Sequence, residues 1–104
     1  MDLDALMTEF REGLRQIYGE RLARLVLFGS RARDNSRPDS DIDLLVVLHG
    51  SVDVNDEIRR VSPLSSRLSL QYDTVISCLY VSERDFENDT SPLMVNIRRE
   101  GLAA

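Results

Sequence analysis

The chain has 104 residues, a net charge of −5 and thirteen cationic residues, every one of them arginine. A length near the mode for single domains predicts one domain over 1–104, able to bury roughly two thirds of its unfolded surface without staples. The acidic balance excludes a broad, non-specific nucleic-acid surface; the single cysteine, Cys78, excludes an internal disulfide and points to a reducing cytoplasm. No apolar run approaches the roughly 20 residues that cross a bilayer, and the opening Met1-Asp2-Leu3-Asp4 is acidic and amphipathic rather than signal-like.

Leu3, Leu6, Met7, Phe10, Leu14, Ile17 and Tyr18 recur at helical spacing. They predict a helix over 3–18, capped by Asp2 or Asp4 and stopped by Gly19. Gly13 inside it suggests close packing against a strand. A strand is expected at Ala23 to Phe28. Gly29-Ser30-Arg31-Ala32-Arg33 reads as the opening turn of a short helix, and Asp34 to Ser40, with Pro38, as loop. A second strand, Asp41 to Leu48, is apolar on both faces in its second half and so belongs at the centre of a sheet. Asp53 to Leu70 is helical, with Pro63 expected to break or kink it into two pieces. Tyr72 to Leu79 is rich in β-branched residues and predicts a third strand. Ser82 starts a short helical turn through Phe86, and Ser91-Pro92 opens a last helix, Leu93 to Glu100, closed by Gly101. The order αβαβαβ plus short helices predicts an α/β (α+β) fold, a small mixed β-sheet with helices packed against it.

The chemistry gathers between the first two strands. Asp41 and Asp43 alternate onto one face, about 7 Å apart along a strand. Carboxylates opening an apolar strand are costly unless something cationic holds them, and Mg²⁺ takes one or two carboxylates together with substrate phosphates. Asp73, placed near the start of a neighbouring strand, would add a third carboxylate; three can hold two metals roughly 3.5–4 Å apart for in-line nucleotidyl displacement. Gly29-Ser30 before a helical turn lets backbone amides approach an anion, while Arg31 and Arg33, with Arg37 nearby, concentrate cations there. His49 reads as a loop residue and Cys78 as a core thiol.

Gly29-Ser30, ten residues, then Asp41-x-Asp43 resembles the signature of the DNA polymerase β-like nucleotidyltransferase superfamily. Phe28-Gly29-Ser30-Arg31-Ala32-Arg33 and Ser40-Asp41-Ile42-Asp43-Leu44-Leu45-Val46 resemble its minimal nucleotidyltransferase (MNT) group, and Pro92 to Gly101 is similar to the end of those domains. The resemblance implies a mixed-sheet nucleotidyltransferase using Mg²⁺ in a two-metal site and ATP as substrate. Asp41, Asp43 and Asp73 would be catalytic and metal-binding, and Gly29, Ser30, Arg31 and Arg33 would hold the nucleotide. It also implies a HEPN-type toxin as partner, with AMP transferred to a tyrosine of that toxin and the chain acting as its antitoxin. Asp34 departs from the pattern, standing where such domains usually have glycine. The alternative is a catalytically idle antitoxin that neutralises its partner by binding alone.

Overall fold

The computed structural model describes residues 2–31 and 41–104. Its centre is the run Ile42–Leu48 (β2), in which every residue but Asp43 is buried. β2 pairs antiparallel with Leu22–Phe28 (β1) and parallel with Ile76–Ser82 (β3), and Leu102–Ala103 (β4) adds antiparallel to the far side of β1. The sheet order is β3-β2-β1-β4. Alternation along β2 sends Ile42, Leu44, Val46 and Leu48 to one core and Leu45 and Val47 to another. Each buried Leu or Val of this strand contributes about 1.5–3 kcal/mol.

The first core is closed by two helices. Leu3–Tyr18 (α1) starts where the Asp2 side chain accepts from the Ala5 N–H at 3.0 Å, and ends at Gly19 with φ +56°. Val54–Gln71 (α2) lays Val61, Leu64 and Leu68 onto the same core. Gly13 serves the contact between these two helices: an added Cβ would stand 2.5 Å from a Leu64 methyl. The expected packing of Gly13 against a strand is therefore corrected to packing against α2.

Pro63 does not break α2, contrary to expectation. It lies on the exposed side, where water can serve the carbonyl that proline leaves without a donor, while its neighbours Val61 and Leu64 are buried. Ser62 adds a hydroxyl bond to the Ile58 carbonyl at 2.6 Å.

The second core is thinner. Glu83–Asn88 (α3), capped by Ser82, and Pro92–Glu100 (α4), capped by Ser91, bring Phe86, Met94 and Ile97 against Val26, Leu45 and Val47. Gly101 then crosses β1 so closely that a Cβ would meet Val26 at 2.5 Å. That crossing delivers β4, a strand absent from the sequence expectation.

Candidate active site

The antiparallel register sets Phe28 opposite Asp43, so β1 turns directly over that carboxylate. Gly29 makes the turn with φ +75°, and a Cβ there would lie 2.4 Å from Asp43 Oδ2. Glycine is required twice at this position, for the backbone angle and for the space. Gly29–Arg31 continues as one turn of 3₁₀ helix. Arg31 is half-buried and lines a cavity of about 410 Å³ with Leu3, Met7 and Arg11 of α1. The Ser30 side chain and residues 32–40, hence Arg33, Asp34 and Arg37, lie outside the described residues.

Asp41 is exposed, immediately ahead of β2, and the Ile42 N–H donates to the Val75 carbonyl at 2.8 Å, fixing the strand entry. Asp43 is half-buried on the α3–α4 side of the sheet, the side of Leu45 and Val47. Burial raises the Asp43 carboxyl above the ordinary aspartate value, and the charge of Asp41 raises it further. A half-buried carboxylate with a second carboxylate two residues away is a donor set that a hard cation would relieve, so the pair fits a divalent metal.

Asp73 does not join them. β3 was expected from Tyr72 but starts at Ile76, because α2 runs to Gln71 and must first be terminated. The Thr74 N–H donates to the Ser69 carbonyl at 3.0 Å, the Asp73 N–H to the Leu70 carbonyl at 3.4 Å, and Asp73 takes φ +51°. This is a Schellman cap with aspartate in the left-handed position that glycine or asparagine usually fills. Tyr72 anchors the turn by donating its hydroxyl to Glu9 on α1. Among the described residues no three His, Cys, Asp or Glu side chains come together to hold a metal, so Asp41, Asp43 and Asp73 are not gathered into one group in this structure. The residue that the parallel register places beside Asp43 is Ser77. Sequence reading passed over it because the strand was begun four residues early.

The opposite end of β2 holds a second polar cluster with a structural task. Glu57, 1% exposed, accepts from the Tyr18 hydroxyl at 3.0 Å, Arg60 at 2.7 Å and the Asp53 N–H at 3.3 Å. Arg21 lies over the Tyr18 ring and donates to the Ser51 carbonyl at 2.9 Å. The cluster ties the end of α1 to the start of α2.

The nucleotidyltransferase domain model matches residues 7–98, a span that includes the Gly29 turn and both carboxylates. The chain belongs to this family. It is 36% identical over 86 residues to a Methanocaldococcus jannaschii protein named "Putative protein adenylyltransferase MJ0604", covering 83% of this chain and 80% of that one. A toxin-antitoxin crystal structure with AMP-PNP superposes with a TM-score of 0.66 at 19% identity, over 92% of this chain and 69% of the other. The MNT antitoxin complexed with a tri-AMPylated HEPN toxin of Shewanella oneidensis gives a TM-score of 0.62 at 17% identity, over 96% and 69%. These structures show the shared fold, a mixed sheet with helices packed against it. No helix among the described residues is long and apolar enough to cross a membrane.

Proposed function

We propose that this nucleotidyltransferase moves AMP from ATP to a hydroxyl of a partner protein, a tyrosine of a HEPN-type toxin, and so acts as an antitoxin. The observation that supports this reading of the site is the packing of Gly29 onto Asp43, which sets the Gly29–Arg31 turn against the carboxylate pair. The relative named for protein adenylyl transfer supports the acceptor class, and the AMPylated toxin complex supports the partner.

Asp41 and Asp43 would hold Mg²⁺, which when bound supplies positive charge to the triphosphate as pyrophosphate departs. Backbone amides of the Gly29–Arg31 turn would face the phosphate oxygens, and Arg31 would add charge from the α1 side. The acceptor hydroxyl oxygen bonds to the α-phosphorus as its proton passes to water, and the bond from the α-phosphorus to the pyrophosphate oxygen breaks on the far side. Ser30 and Arg33 keep the nucleotide-binding roles that the family signature implies.

A second reading is the idle antitoxin, favoured by the pairing of two carboxylates where three were expected. Co-expression with the toxin separates the two. Asp41→Asn with Asp43→Asn should abolish neutralisation if transfer is the mechanism, and should leave it intact if contact suffices.

A further inference from the structure

A bound triphosphate over Gly29 needs a place for its base, and one cavity shares that glycine as a wall. About 200 Å³ in volume, it is lined by Phe28 and Gly29 on the β1 side and by Leu93, Asn96, Ile97 and Glu100 on α4. The four α4 residues fall at i, i+3, i+4 and i+7, one face of the helix. The volume is below the roughly 300–1,000 Å³ of a pocket for a whole drug-sized ligand, and suits one flat ring system. Leu93 is 52% exposed at the mouth, an apolar side chain held in solvent beside a polar site.

We propose that this cleft between Phe28 and α4 seats the nucleobase of the bound nucleoside triphosphate, with Asn96 reading its polar edge. The inference rests on the nucleotidyltransferase reading of Gly29, Asp41 and Asp43. Phe28 and Leu93 supply apolar surface for the ring faces, and stacking of a base on an aromatic ring contributes about 1–3 kcal/mol where it has been measured by truncation. A side-chain amide offers a donor and an acceptor side by side, the pattern that pairs with the adjacent amino group and ring nitrogen of adenine. The shared wall puts base and phosphates within one nucleotide's length. A tyrosine acceptor fits the cleft less well, because its only polar atom must sit at the phosphorus, leaving Asn96 nothing to read.

The test is calorimetric titration of the full chain with Mg²⁺-ATP and, separately, with Mg²⁺-tripolyphosphate. Asn96 and Leu93 are both exposed, so Asn96→Ala and Leu93→Ala should fold, which thermal melts would verify. Each variant is expected to bind ATP roughly five- to tenfold more weakly, the low end of one base contact, while tripolyphosphate binds as to the wild type. Unchanged ATP affinity in both variants overturns the base assignment, and a loss of transfer to the acceptor alone would give the cleft to the acceptor instead. Wild-type protein that binds neither ligand overturns the nucleotide reading itself, and this inference with it.

Discussion

Gly29 and Asp43 compete for one volume: a methyl group on the glycine would stand 2.4 Å from the Asp43 carboxylate oxygen. The turn is thus shaped around the side chain it serves. Gly29→Ala should cost about 1–2 kcal/mol from the left-handed backbone angle alone, and should displace the carboxylate as well. We expect a lowered denaturation midpoint together with at least a tenfold loss of nucleotidyl transfer. Normal transfer by a folded Gly29→Ala protein would detach the turn from the chemistry.

The half-buried carboxylate of Asp43 is a stability cost. Asp43 is pushed toward its protonated form by burial and then by Asp41, so ionising it at neutral pH opposes folding. Asp43→Asn should therefore melt at a higher temperature than the wild type in metal-free buffer while losing transfer. Millimolar Mg²⁺ should raise the melting temperature of the wild type and leave that of the Asp41→Asn, Asp43→Asn double variant unmoved. Scanning calorimetry with and without chelator reads both effects.

Asp73 supplies a backbone angle. Asp73→Gly removes the carboxylate but suits φ +51°, so stability should hold or rise by up to about 1 kcal/mol and transfer should continue. Abolished transfer in a well-folded Asp73→Gly protein would restore the carboxylate to the reaction.

At the far end of β2, burial alone would raise the Glu57 carboxyl, but hydrogen bonds from Tyr18, Arg60 and the Asp53 N–H outweigh it and hold the value below the ordinary glutamate range. A depressed carboxyl stabilises the fold fully above its unfolded value of about 4.3, and that contribution is lost as pH falls through the lower folded value. Glu57→Ala should cost about 2–3 kcal/mol, since the buried Tyr18 hydroxyl loses its acceptor. At roughly 4–8 °C per kcal/mol, the melting temperature should drop by about 10 °C or more at neutral pH. The gap from wild type should narrow in acid. Transfer at a temperature where both proteins are folded should be little changed.

The helix over 3–18, the central apolar strand and the Gly-Ser to Asp-x-Asp spacing were legible because periodicity and turn chemistry are local. Pro63 misled because its consequence depends on which way it faces, and it faces solvent. The start of β3 misled for a related reason. Thr74, Val75 and Ile76 have strand composition, but the end of α2 consumes Tyr72 to Thr74 as a cap, which moves β3 along by four residues and brings Ser77 level with Asp43. β4 was invisible because two residues carry no pattern; it exists because Gly101 lets the chain lie across β1.

The most direct measurement incubates the protein with the proposed HEPN-type partner, Mg²⁺ and ATP labelled either at the α- or at the γ-phosphate. Nucleotidyl transfer predicts label on the partner from the α-position only, lost with Asp41→Asn or Asp43→Asn and kept with Asp73→Gly. Label arriving from the γ-position, or a tight complex that never becomes labelled, would contradict it.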